Sequence, residues 1–189
     1  MINTLRFRQI IIVGFLCCTF LVPSAASVTF AAGTYQADPA TGCKIWNPDP
    51  LPADSFSWRG ECRDGYLEGF GIAHFYSHGN LVGTHEGTMA KGKRSGKGVA
   101  TWSNGNKYEG DWLDDHMHGT GVMTSTDGAK YDGNWVKDKM HGYGVYTWPS
   151  GAKYKGAWAD GYMQGDGVLT FPDGREQRGR FEKDKYVGP

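Results

Sequence analysis

His116, His118 and His141 are the residues whose type and spacing first suggest chemistry. A His-x-His pair on a strand puts both imidazoles on one face, where they could ligate a metal ion. Yet His118 and His141 stand 23 residues apart in matching stretches, "HMHGTGV" and "KMHGYGV", and Lys139 takes the place of His116 in the second. A histidine that repeats with its surroundings is explained by the repeat, so no metal site is expected. The dense basic stretch "KGKRSGK" supplies Lys91, Lys93, Arg94 and Lys97 as candidates for holding anionic lipid or phosphate. Asp114 and Asp115 lie in a polar turn, where no burial raises a carboxyl pKa for acid–base work. The serines of "TWSNGN" and "WPSGAK" also sit in turns, without a nucleophile elbow. "GTG", "GYG" and "GDG" open no helix and so make no phosphate loop. The chain therefore reads as non-enzymatic, with no cofactor.

The elements that carry these residues follow from glycine and the aromatics. The 189 residues include 29 glycines, with 26 Phe, Tyr and Trp. Disordered glycine-rich chains are poor in aromatics, so this combination points to β-structure in which glycine makes turns and leaves room for rings. The formal charge is zero, which provides no field to draw the chain to nucleic acid.

A strict period of 23 residues organises the chain. One glycine column runs Gly87, Gly110, Gly133, Gly156, Gly179, and two residues on stand Met89, Trp112, Trp135, Trp158 and Phe181. A Gly-x-Gly pair follows, for example Gly119/Gly121 and Gly142/Gly144, and a turn glycine closes each unit. A degenerate copy begins at Trp58, with Cys62 in the tryptophan column and four extra residues after Gly71. The array thus holds about five units and a partial sixth. Each unit reads as a β-hairpin. "KYEGDW" alternates, "LDDHMH" is a polar turn, "GTGVMTST" alternates again, and "TDGAK" turns into the next unit. One hairpin alone is marginal in water, whereas stacked hairpins bury their rings between them.

"YEGDWLDDHMHGTG" and "YDGNWVKDKMHGYG" resemble MORN (membrane occupation and recognition nexus) repeats, whose pattern is Tyr-x-Gly-x-Trp, a short turn, then His-Gly-x-Gly. The resemblance covers residues 58–189. It implies an all-β fold: a single-layer antiparallel sheet of consecutive hairpins, elongated and curved like a solenoid, with aromatics lining a groove. Departures are Cys62 and Met89 in the tryptophan column, and Ser95 and Gln164 in the histidine column. Tyr108, Trp112, Tyr131, Trp135, Tyr154 and Trp158 are then candidates for holding a protein partner or stacking on a cell-wall glycan. By resemblance, acidic phospholipid is the alternative ligand, with the 91–97 stretch as its local site.

The N-terminus reads as an export signal over residues 1–27. Arg6 and Arg8 precede an apolar stretch at 10–22, Pro23 breaks it, and "SAAS" offers small residues for cleavage. Thirteen apolar residues fall short of the roughly 20 that span a bilayer; an uncleaved anchor is the alternative. Export places the protein in the periplasm or outside the cell, and leaves 18 basic residues against 20 acidic. Cys17 and Cys18 leave with the signal, so Cys43 and Cys62 are the expected disulfide, tying a cap over residues 28–57 to the first unit. A last column runs Glu86, Glu109, Asp132, Lys155, Arg178. Its drift from acid to base is either chance among five positions or a basis for head-to-tail association.

Overall fold

Residues 33–48 and 54–189 are described by a computed structural model. The expected export segment lies outside the described residues.

Alternation and turn chemistry build fourteen strands. β1 (Thr34–Ala37) and β2 (Lys44–Asn47) form a short N-terminal hairpin. The array begins at β3 (Asp54–Arg63), four residues before the repeat is legible, and β4 (Tyr66–Ser77) completes its first hairpin. Then follow β5 (Asn80–Ala90), β6 (Lys93–Trp102), β7 (Lys107–Leu113), β8 (His116–Thr124), β9 (Lys130–Val136), β10 (Lys139–Thr147), β11 (Lys153–Ala159), β12 (Tyr162–Thr170), β13 (Glu176–Glu182) and β14 (Lys185–Gly188). From β3 to β14 each strand pairs antiparallel with the next, giving one open sheet of consecutive hairpins. Among the described residues the parallel contact is Lys44 of β2 opposite Tyr66 of β4.

The turn inside each unit is tighter than "LDDHMH" suggests. It is two residues long, and His116 to His118 already belong to β8. Both turn residues have positive φ, as in Asp114 (50°) and Asp115 (70°) or Lys137 (47°) and Asp138 (65°). This is the twist-matched hairpin turn, and Asp or Gly tolerates it best. Successive tight turns are also bonded together. The amides of Gly92, Asp115, Asp138, Gly161 and Asp184 donate to the carbonyls of Leu67, Arg94, Met117, Met140 and Met163 in the preceding unit. Turn carboxylates reinforce the row: the Met117 amide donates to Asp138 Oδ1 at 2.8 Å, and that of Met163 to Asp184 Oδ1 at 2.8 Å.

At the opposite margin the wider turns close mainly on themselves, as in Ser125 N–H to Ala129 O and Trp148 N–H to Ala152 O. The four extra residues of the first repeat fall at this margin. They lengthen β4 and β5 past Phe75 and Gly83 to a two-residue turn at His78–Gly79, without moving the pairing of Gly71 with Gly87.

Glycine makes one row across the whole array. Gly60, Gly71, Gly87, Gly98, Gly110, Gly121, Gly133, Gly144, Gly156, Gly167 and Gly179 pair in sequence from β3 to β13. A Cβ on Gly133 would stand 2.6 Å from Gly144 Cα and 2.7 Å from both the Tyr131 hydroxyl and the Tyr143 carbonyl oxygen. The row is empty of side chains because rings lie on it.

Candidate functional site

Those rings form a ladder on the inner face. Each tyrosine sits edge-on between the tryptophan of its own unit and the matching ring of the next. Tyr108 is 5.0 Å from Trp112 and 5.5 Å from Trp135, Tyr131 is 5.1 Å from Trp135 and 5.4 Å from Trp158, and Tyr154 is 5.2 Å from Trp158 and 5.0 Å from Phe181. The polar ends are satisfied within the fold. Each tyrosine hydroxyl donates to the carbonyl three residues on: Tyr108 to Asp111, Tyr131 to Asn134, Tyr154 to Ala157. Each indole N–H reaches back to a glycine carbonyl of the previous unit: Trp112 to Gly98, Trp135 to Gly121, Trp158 to Gly144. Burial pushes the Tyr154 phenol up to about 12 and those of Tyr108 and Tyr131 higher still.

This corrects one expectation. Tyr108, Trp112, Tyr131, Trp135, Tyr154 and Trp158 are at most 5% exposed, so they do not line an open groove. A single-layer sheet has no second layer to cover its apolar face, and here the rings of one face cover each other.

The tyrosine column is interrupted at Trp58, His85 and Gln177. Trp58 holds the tyrosine position in the first hairpin and keeps the bond, its indole N–H donating to Glu61 O at 2.8 Å. His85 holds it in the second, on Gly87 and Gly98, edge-on to Trp112 at 5.4 Å. The ring is fully buried and, among the described residues, neither nitrogen has a hydrogen-bond partner. Burial first, and the charge of nearby Arg94 second, lower its pKa to about 3, against a weaker opposing influence from the Thr88 backbone. His85 is a neutral imidazole in a phenol's place.

The N-terminal hairpin packs at this end. Cys43 and Cys62 are joined as a disulfide, and Cys43, Ile45, Phe56, Trp58, Leu67, Ala73 and Met89 form a local core. Lys44 N–H donates to Gly65 O and Trp46 N–H to Gly92 O, extending the row of tight turns.

The basic stretch is not assembled into one patch. Arg94 pairs across from Met89 on the inner face, stacks on Trp112 at 4.2 Å and bonds Asp115 at 3.1 Å. Lys97 pairs across from Asp111 on the outer face and meets its carboxylate at 2.7 Å. Lys93 lies 5.3 Å from the Trp46 ring and 4.0 Å from Asp114, and Lys91 is a left-handed turn residue. His118 and His141 are strand residues whose carbonyls accept from Tyr108 and Tyr131.

The open surface is the outer face. Register places Ile72, Glu86, Val99, Glu109, Val122, Asp132, Val145, Lys155, Val168 and Arg178 in one line from β4 to β13, next to the glycine row. Between β4 and β9 a groove of about 650 Å³ lies over this line, with Val99 and Val122 as floor, Glu86, Glu109 and Asp132 along it, and Lys97 and the exposed ring of Phe70 at its side. The charge column was legible in the sequence. Its alternation with a valine column, one strand apart, required the pairing.

The MORN repeat profile matches residues 85–107, 108–130, 131–153 and 154–174. Residues 85–174 therefore match the MORN repeat four times in succession. The hairpins continue on both sides of this MORN segment: β3–β4 precede it and β13–β14 follow it, in the same sheet and on the same glycine row. Comparison with curated proteins finds no match. Among solved structures, the chain is similar to the TCP domain of SAS-4 (dCPAP) of Drosophila melanogaster, solved in complex with a proline-rich motif of Ana2 (dSTIL). The identity is 12%, over 87% of this chain and 99% of that one, with a TM-score of 0.34. Likeness at that level carries no argument about function.

Proposed function

We propose that the protein is a non-enzymatic protein-binding module, exported to the cell envelope, which holds its partner on the outer face of the MORN sheet. The observation that carries this reading is the groove over Val99 and Val122, apolar at its floor and edged by Glu86, Glu109 and Asp132. It offers apolar area with charges placed to orient a partner, the composition of an interface rather than of a catalytic pocket. Two other ligands find less support. Glycan stacking needs open ring faces, and the Tyr and Trp columns are buried. Acidic phospholipid needs cations gathered on one side, whereas Arg94 and Lys97 point to opposite faces and each meets an aspartate.

The test is capture from envelope extract with the wild-type chain and with Glu109→Lys/Asp132→Lys, both positions being exposed. A partner held by the wild type and lost by the folded variant supports the reading. A partner retained by the variant, or capture of anionic vesicles instead, overturns it.

A further inference from the structure

Among the described residues, the first strand of the array is built like an interior strand but stands at an edge. Its strand partner there is β4, over ten positions from Asp54 to Arg63. The irregularity in that pairing lies between Gly60 and Glu61 opposite Gly71 and Glu68, so the extra residues belong to β4 and β3 itself runs regularly. Protected edges are short, bulged, charged or covered. β3 is long and regular, and its charges Arg59, Glu61 and Arg63 are of both signs, so they can pair with a second strand as well as repel one. Phe56 and Trp58 point inward and are buried, while Ser57, Arg59, Glu61 and Arg63 lie exposed on the other side. That is the pattern of β7, which carries Tyr108 and Trp112 inward, Lys107 and Glu109 outward, and is paired on both sides.

We propose that β3 pairs antiparallel with β3 of a second copy of this chain, about a two-fold axis at Gly60. Side-chain alternation limits a symmetric antiparallel pair to registers in which one residue meets its own copy. Centred on Glu61, the pairing would oppose Glu61 to itself and Arg59 to Arg63. Centred on Arg59, it would oppose Arg59 to itself. Centred on Gly60, it places Arg59 opposite Glu61 of the second copy, twice by symmetry, over positions 57–63. It also sets Gly60 against Gly60, which continues across the junction the glycine-to-glycine pairing found at the joints between β3 and β13. Centred on Trp58, it would set Arg59 against Ser57 and Glu61 against Ser55, with no ion pair across the seam and off the glycine row. The Gly60 centre joins opposite charges and keeps the row, a self-complementary interface in which two arrays share one sheet.

The test is the mass of the full 189-residue chain in solution, by light scattering after size exclusion across a concentration series. It compares the wild type with Arg59→Glu and with Arg59→Glu/Glu61→Arg. Both positions are exposed, and circular dichroism checks the fold. The expected result is a wild-type dimer, a dissociation constant raised about tenfold or more by the single reversal, and recovery in the double swap. A wild type that stays monomeric at every concentration overturns the proposal. A dimer indifferent to the single reversal overturns it as well. Neither result bears on the outer-face groove, whose test reads capture and not mass.

Discussion

Replacing His85 with tyrosine should stabilise the protein, and more so in mild acid. In the unfolded chain the imidazole titrates near 6.5; in the folded protein burial holds it at about 3. The folded pKa is depressed, so between these values the unfolded state binds one proton more than the folded state. Stability from this residue is complete above about pH 6.5 and is lost as pH falls toward about 3. The slope in that window approaches 1.4 kcal/mol per pH unit, so lowering the pH from about 7 to about 5 costs about 2 kcal/mol at this position. The introduced tyrosine would occupy the same socket, since Gly87 and Gly98 stand under His85 as Gly110 and Gly121 stand under Tyr108. Its hydroxyl would lie toward the Thr88 carbonyl, as that of Tyr108 lies toward Asp111, a hydrogen bond contributing about 1 kcal/mol. His85→Tyr should therefore raise the melting temperature by about 2–4 °C near neutral pH, with a wider gap near pH 5. Thermal melts followed by tryptophan fluorescence at several pH values would measure both. If the two proteins lose stability in parallel between pH 7 and 5, or if the tyrosine variant is the weaker, the account of His85 as an unsatisfied neutral imidazole is wrong.

Other consequences of the ladder can be read in the same melts. Gly133→Val should cost about 3 kcal/mol, the upper end for overpacking, because its Cβ meets the backbone of Gly144 and Tyr143, which a rotamer change cannot move aside; an unchanged melt would refute the packing account. Tyr131→Phe removes a hydroxyl that donates toward Asn134 O at 3.0 Å and His141 O at 3.3 Å, so a loss of about 1–3 kcal/mol is expected from the unsatisfied carbonyls. Trp135→Ala should cost about 3–5 kcal/mol by leaving a cavity between Tyr108 and Tyr131. Reduction of Cys43–Cys62 should lower the melting temperature by releasing a loop of 19 residues' separation, a contribution of about 3 kcal/mol; no shift would show that the link carries little.

Much of this architecture was legible before any coordinates. The 23-residue period fixed the hairpins because each column has one physical job: glycine where a ring must lie, Asp or Gly where φ is positive, tyrosine or tryptophan where the inner face must be filled. Met89 and Cys62 could be seen departing from the tryptophan column, and both mark the end where the N-terminal hairpin packs, Met89 in its core and Cys62 through the disulfide. The open face could not be seen. Tyr108 and Trp112 look the same in sequence whether they line a groove or fill it, because the answer depends on how closely neighbouring units approach. The division of the basic run was hidden for a related reason. Lys93, Arg94 and Lys97 are close in the chain, but alternation and pairing with Asp114, Asp115 and Asp111 divide them. The N-terminal hairpin lacks the period and had no column to betray it.

The two margins of the sheet differ in what they allow the chain to become. Along one, every tight turn is bonded to the turn before it, so a residue gained or lost there would break a joint shared by two units. Along the other, β4 and β5 already carry additional length: the Gly92–Leu67 bond and the Gly71–Gly87 pairing survive four inserted residues, which with a tighter turn give three more pairs of the ladder and a bulge at Val82. Variation in loop length can therefore accumulate on that rim, where an odd residue is taken up by a bulge, as Val82 is, without moving the register below it. The bonded rim keeps the count of repeats while the free rim is where a lineage can add reach, charge or a new contact without rewriting the array.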